Sequence, residues 1–220
     1  MATRNSEREV LVPVGGVSLE GALALPAGAC GIVLFAHGSG SSRHSPRNNY
    51  VARVLQEAGV GTLLFDLLTA EEDLDYSARF DIGLLVERLV AVTRWLQRQP
   101  EVHGLAIGYF GASTGAAAAL GAAALLGTAI AAIVSRGGRP DLAEPVLEQV
   151  RAPTLLIVGE LDVEVLQLNR RAYALLAAEK RLAIVPGATH LFEEAGTLEQ
   201  AAHLAAGWFK AHFKPMVKAS

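Results

Sequence analysis

Apolar and polar positions along the chain follow two rhythms. Residues 8–14 and 17–25 alternate apolar and polar on either side of Gly15 and Gly16, the pattern of an N-terminal β-hairpin. After a turn over residues 26–31, residues 32–36 are apolar throughout and read as a strand buried on both faces. Residues 61–65, 105–110, 130–134, 154–158 and 182–185 read in the same way. Between these short runs, helical spacing predicts helices over 48–58, 76–97, 114–126, 165–178 and 197–212. Strand and helix in alternation predict an α/β fold: a mostly parallel central sheet flanked by helices on both faces. Chemistry is then to be sought just after each strand, because open α/β sheets bind ligands at the carboxyl ends of their strands. No repeat, charge block or Pro/Ser-rich linker interrupts residues 1–220, so one domain is expected.

Composition narrows this picture. The chain has 220 residues, 51% hydrophobic and 19% charged, with 38 alanines and one cysteine, Cys30. A chain of this length should bury about 70% of its unfolded surface, so its core needs no disulfide, and one cysteine cannot form an intramolecular bridge. A net charge of −3 gives no electrostatic reason to expect nucleic acid or an anionic membrane as partner. A homodimer is compatible with the composition.

The 32 residues from Gly104 to Ser135 carry no charge, which raises the question of a membrane span. The most apolar stretch, residues 116–134, holds ten alanines and only six strong insertion formers. Those six supply about −2 to −4 kcal/mol on an insertion scale before Gly and Thr are charged against them. Gly111, Gly115, Gly121 and Gly127 punctuate the run, as suits a buried strand, turn, helix and strand better than one long helix. The first ten residues have charges but no apolar signal core, so a cytoplasmic protein is expected.

Within that uncharged run, the strand at 105–110 leads into Gly111-Ala112-Ser113-Thr114-Gly115 and then an alanine-rich helix. This is G-x-S-x-G in the strand-to-helix context of a nucleophile elbow. A sharp turn exposes the Ser113 hydroxyl at a helix N-terminus, where N–H groups and the helix dipole favour developing negative charge. Serine needs a base to act as a nucleophile. Of six histidines, His190 stands in Pro186-Gly187-Ala188-Thr189-His190, directly after a strand. His103, His203 and His212 fall on structural positions, His37 reads as a residue shaping its own loop, and His44 lies in a polar loop near the expected site.

Asp162, in Gly159-Glu160-Leu161-Asp162 after the strand at 154–158, is the expected orienting carboxylate, with Glu160 and Glu164 as substitutes. An oxyanion hole requires two donors: the Thr114 N–H after the nucleophile, and a loop amide from His37-Gly38-Ser39-Gly40, with Ser39 preferred and Gly38 next. Gly38, Arg43, His44 and Arg136 are further candidates for touching substrate. Two segments carry arginine clusters where they can touch substrate: 41–48, with Arg43 and Arg47, follows the oxyanion loop, and 136–141, with Arg136 and Arg139, follows a strand at a ligand-facing end. Either cluster can grip a carboxylate or be used up pinning its loop, in an ion pair with Asp141 or Glu144.

Together HGSG, GASTG, GELD and GATH resemble the α/β-hydrolase superfamily over essentially the whole chain, and its dienelactone-hydrolase-like branch in particular. The order Ser113, Asp162, His190 is the order of that fold's triad. The resemblance implies hydrolysis of a small ester or related acyl bond through an acyl-enzyme, without cofactor or metal. Dienelactone hydrolase carries cysteine in the elbow where this chain has Ser113, so lactone specificity does not transfer. Only 15 residues, 135–149, separate two strands at the place where a cap would insert, so no cap domain and an open site for small substrates are expected.

Two rival functions come from other classes. Gly108, Gly111 and Gly115 in a strand, glycine, helix context, with Arg136 further on, suggest an NAD(P)-binding oxidoreductase, but the spacing is not G-x-G-x-x-G. A non-catalytic hydrolase-fold binding protein would have no need of Ser113, Asp162 and His190 together. An acyltransferase or perhydrolase differs only in what resolves the acyl-enzyme.

Overall fold

A computed structural model describes residues 7–213; the N-terminal residues 1–6, on which part of the signal-segment reading rests, lie outside it. The hairpin forms as expected from β1 (Glu7–Val14) and β2 (Val17–Ala24), turning through Gly15 and Gly16, both at positive φ. Then follow β3 (Gly31–Ala36), α1 (Pro46–Glu57), β4 (Gly61–Phe65), α2 (Ile82–Gln97), β5 (Ala106–Ala112), α3 (Thr114–Leu126), β6 (Ala132–Arg136), β7 (Thr154–Gly159), α4 (Val163–Leu175), β8 (Lys180–Val185) and α5 (Thr197–His212). One eight-stranded sheet runs in the order β1-β2-β4-β3-β5-β6-β7-β8. β1 and β2 are antiparallel to their neighbours; β4 through β8 and β3 are parallel.

The central strands β3, β4, β5, β6 and β7 are almost entirely buried, which is why their sequences are unbroken apolar runs rather than alternating ones. Helices α2, α3 and α4 cover one face and α1 and α5 the other. Alanine serves both layers. Ten consecutive residues of α3, Thr114 to Ala123, are buried, and a Cβ on Gly121 would lie 2.6 Å from Val86 of α2. On α5, Ala201, Ala202, Ala205 and Ala206 recur at helical spacing and are buried towards the sheet. Small side chains let both helices lie close to the strands.

Several boundaries differ from the periodicity: α4 spans Val163–Leu175 rather than 165–178, β8 starts two residues early at Lys180, and β5 runs on to Ala112. The region at 76–81 is not the start of α2: it holds a short 3-10 turn, Ala78–Phe80, and Asp81 caps α2 by accepting from the Leu84 N–H at 3.0 Å. A 3-10 turn over Gly127–Ala129 takes the residues before β6, so β6 starts at Ala132 and ends on Arg136. Helix α1 begins two residues early, at Pro46, because Ser45 caps it and Pro occupies its first position. Between β6 and β7 a ten-residue 3-10 segment, Pro140–Gln149, buries Pro140, Ala143 and Leu147; no cap domain is inserted there. Among the described residues no helix is long and apolar enough to cross a membrane.

Candidate active site

The carboxyl ends of β3, β5, β6 and β7 and the loop after β8 converge on Ser113. That residue adopts φ 51° and ψ −123°, a strained conformation for a non-glycine residue, between β5 and α3. The flanking glycines explain how the turn is possible. A Cβ on Gly115 would lie 2.1 Å from the Ala36 carbonyl oxygen and 2.5 Å from that of His37; one on Gly111 would lie 2.5 Å from Ala116 Cα. Neither position admits a side chain, so α3 can start directly against the end of β3. The turn is fixed further by Ser113 N–H donating to the Arg136 carbonyl at 3.3 Å and Arg139 N–H donating to the Ser113 carbonyl at 3.0 Å. The Ser113 hydroxyl has no hydrogen-bond partner among the described residues; in resting sites such contacts are commonly open until substrate binds.

His190 and Ser113 line one cavity of about 270 Å³. His190 Nδ1 stands 2.7 Å from Asp162 Oδ2. Of the three carboxylates after β7, Asp162 alone faces the imidazole: Glu160 accepts from the Gly187 N–H at 2.9 Å, and Glu164 is exposed. The two loops are bound to each other, since Glu160 N–H donates to the Val185 carbonyl and Leu161 N–H to that of Ala188. A Cβ on Gly159 would lie 2.3 Å from the Ala188 oxygen, so this close approach needs glycine. The far side of the histidine loop is held by Glu194, which accepts from both the N–H and the hydroxyl of Thr189; these bonds lower the Glu194 pKa. Phe192, buried at positive φ, anchors the turn after His190.

The oxyanion loop differs in one respect from the sequence reading. Ser39 N–H donates to Thr114 Oγ1 at 2.9 Å, so the preferred second donor is engaged by a side chain. Gly38 lies against the nucleophile, its virtual Cβ 3.0 Å from Ser113 Cβ, and its N–H has no partner among the described residues. The amide of Thr114, the first residue of α3, likewise has no intrahelical acceptor. His37 shapes this loop as expected. Its Nε2 accepts from the Leu67 N–H at 3.0 Å, which leaves the proton on Nδ1 to donate to the Gly38 carbonyl at 3.0 Å. Burial lowers its pKa.

The arginine candidates separate sharply. Arg43 does not line the Ser113 cavity. Its guanidinium pairs with Asp66 and Glu20, its N–H donates to Asp66 Oδ1, and it lines a neighbouring acidic cavity with Asp66, Glu71 and Asp73. His44 is exposed and also lies outside the Ser113 cavity. Arg136 does line it. Of the cluster at 136–139, it is Arg139 that makes the ion pair with Asp141, through Nε and Nη2. Within the segment 41–48, offered by the sequence as one that touches substrate, it is Ser41, Ser45, Arg47 and Asn48 that line the cavity, rather than Arg43 and His44. The signal was Ser45-Pro46, a cap followed by Pro, which starts α1 early enough to bring its first turn to the site.

The sequence profile of the dienelactone hydrolase family matches residues 20–216. The chain belongs to the dienelactone hydrolase family. A crystal structure of dienelactone hydrolase from Anabaena variabilis superposes with a TM-score of 0.94 at 56% identity, covering 96% of this chain and 100% of that one. The esterase domain of a Rhodothermus marinus protein superposes with a TM-score of 0.75 at 19% identity, covering 95% and 100%, and shares the fold. A Mycobacterium tuberculosis protein provisionally named a phosphoribosyl transferase is 59% identical over 206 residues, 94% of this chain and 46% of that protein. The chain thus spans about half the length of the curated relatives it matches.

Proposed function

We propose that this member of the family is a serine hydrolase that cleaves a small ester or related acyl bond through an acyl-enzyme. The observation that carries the reading is the convergence of a free Ser113 hydroxyl and His190 on one cavity, with His190 Nδ1 held by Asp162 at 2.7 Å. In the first step His190 Nε2 takes the Ser113 proton while Oγ bonds to the acyl carbon. The Thr114 and Gly38 N–H groups stabilise the oxyanion. The bond to the leaving alcohol then breaks, and His190 returns the proton to that oxygen. In the second step His190 deprotonates a water that attacks the acyl-enzyme; the acid leaves and the proton returns to Ser113. Asp162 holds the imidazole in the required tautomer and stabilises the imidazolium.

The small cavity and the absence of an inserted cap favour acetyl and butyryl esters over long acyl chains. The transferase name of the longer mycobacterial relative is assigned, in this reading, to the part of that protein that the present chain does not match. An NAD(P)-dependent reaction has less support, because the glycines at the β5 turn are explained by the approach of α3 to β3 and β5.

Labelling with an uncharged fluorophosphonate, followed by location of the modified residue, tests the proposal. Modification at Ser113, lost in Ser113→Ala, is expected, and a protein that turns over p-nitrophenyl acetate undiminished after Ser113→Ala would refute it.

A further inference from the structure

Arg136 is a charged side chain without a charged partner, in a place where such groups are rarely left alone. It is the last residue of β6, paired in register with Ala112, immediately before the nucleophile. The residue is 7% exposed, and its guanidinium forms no hydrogen bond or ion pair among the described residues. Its Nε is fully enclosed and unsatisfied, and the group is stacked on the Phe192 ring with Cζ 5.4 Å from the centroid. Burial pulls its pKa down to about 10, with a further push from the like charge of Arg47, so it stays protonated at neutral pH. Buried guanidinium groups are ordinarily paired, and an unpaired one in a cavity calls for an anion.

The rest of the cavity wall has the same sense. Arg47 lines it from the first turn of α1, and its ion pair at 3.2 Å is to Glu193, a largely exposed residue outside the lining. Among the described residues no carboxylate lines the cavity. Ser41 and Ser45 also line it. Ser45 Oγ caps α1 by accepting from the Asn48 N–H, the protons of both hydroxyls are donated to no acceptor among the described residues, and the N-terminus of α1 adds its dipole. Two guanidinium groups and two hydroxyl protons beside a helix N-terminus are more than a single carboxylate can use. A phosphate, with up to two charges and three terminal oxygens, matches them.

We propose that the substrate is an ester that carries a phosphate group, with the phosphate held by Arg136 and Arg47 and the acyl carbon at Ser113. This rests on the serine-hydrolase reading and names the substrate class for it. The bonds that form and break are those of ester hydrolysis, and the phosphate is untouched.

The test compares kcat/KM for three acetyl esters of matched size: 2-phosphooxyethyl acetate, 3-acetoxypropanoate and 2-methoxyethyl acetate. The phosphate ester should exceed the neutral one by roughly 10–100-fold, as hydrogen bonds to charged groups imply. Arg136→Gln should collapse that ratio towards unity, Arg136→Lys should keep part of it, and Arg139→Gln, whose side chain is paired with Asp141 outside the cavity, should leave it intact. A ratio near one in the native chain, a carboxylate ester faster than the phosphate ester, or a ratio that survives Arg136→Gln would each overturn the proposal.

Should Arg136→Gln not fold, the native chain still decides the matter. Inorganic phosphate should slow labelling of Ser113 by an uncharged fluorophosphonate, whereas chloride at equal ionic strength should not; equal rates in the two salts would overturn the proposal. Labelling of Ser113 without phosphate preference rejects the phosphate alone. If Ser113 is never labelled, the hydrolase reading fails, and calorimetric titration with inorganic phosphate then decides the anion site: binding weakened in Arg136→Lys supports it, whereas no binding, or binding unchanged in Arg136→Lys, refutes it.

Discussion

Gly115→Ala is the substitution for which the structure gives the largest and most specific consequence. The added methyl would lie 2.1 Å from the Ala36 carbonyl oxygen and 2.5 Å from that of His37, with the Ala36 carbonyl carbon at 2.6 Å. All three atoms are backbone at the end of a central strand, so no side chain can rotate away and either α3 or β3 must shift. Overpacking costs about 1–3 kcal/mol, occasionally more, and a clash with two rigid carbonyls belongs at the upper end, about 3 kcal/mol. For a chain of this size each kcal/mol moves Tm by about 2–4 °C, so a fall of roughly 6–12 °C is expected. The displaced atoms lead into Gly38 and the proposed oxyanion donors, and a misplacement of about 1 Å there should cost roughly 10²-fold in ester turnover. Gly207→Ala on α5 is the matched control: nothing lies within 4 Å of its virtual Cβ and its φ is ordinary. It should raise stability by about 0.5–1 kcal/mol. Differential scanning calorimetry and p-nitrophenyl acetate turnover of the two variants provide the assay. If Gly115→Ala melted within a degree or two of the parent and kept its activity, the close approach of α3 to β3 would be wrong.

Other outcomes follow from the same geometry. Ser113→Ala should reduce ester turnover by roughly 10⁴-fold or more with unchanged far-ultraviolet circular dichroism, and a loss of helix signal would point to a structural role instead. Asp162→Asn should lower kcat by about 10²–10⁴-fold by disturbing the His190 tautomer, whereas Glu160→Gln, which retains an acceptor for the Gly187 N–H, should change it little; the reverse order would move the carboxylate role to Glu160. Because burial depresses the His37 pKa in the folded chain, the unfolded chain binds the extra proton first. The stability from neutral His37 is therefore complete above pH 6.5, the unfolded value, and is lost as pH falls below it. Urea midpoints at pH 7.5 and 5.5 should show the drop, and His37→Gln should show less of it; an equal drop in both would remove His37 as its source.

Local sequence carried much of this protein because several of its demands are local. A strand buried on both faces must be apolar throughout, so the central strands stood out. The Ser113 turn needs residues without side chains on either side, so Gly111 and Gly115 marked its place before any neighbour was known. The motifs after β7 and β8 were legible for the same reason, as Gly159 shows by lying against Ala188. The eight-stranded order and the meeting of the strand-end loops follow from them only through the right-handed crossovers of parallel sheets.

Tertiary structure alone decided which of several equivalent side chains reach the cavity. Arg43, Arg47, Arg136 and Arg139 are alike in sequence: basic residues in polar segments after a strand. Arg43 faces Asp66 and Glu20, and Arg139 faces Asp141, so their charges are spent within the fold. Arg136 ends a strand that runs two residues past its apolar stretch and is left beside Ser113 with an aromatic ring and another cation as neighbours. The Ser39 amide was likewise undecidable, because its partner Thr114 lies 75 residues away in the chain. Spacing and residue type determine where the backbone must turn or approach closely; which charges pair and which remain free depends on contacts between distant segments, and these exist only once the sheet has brought its strand ends together.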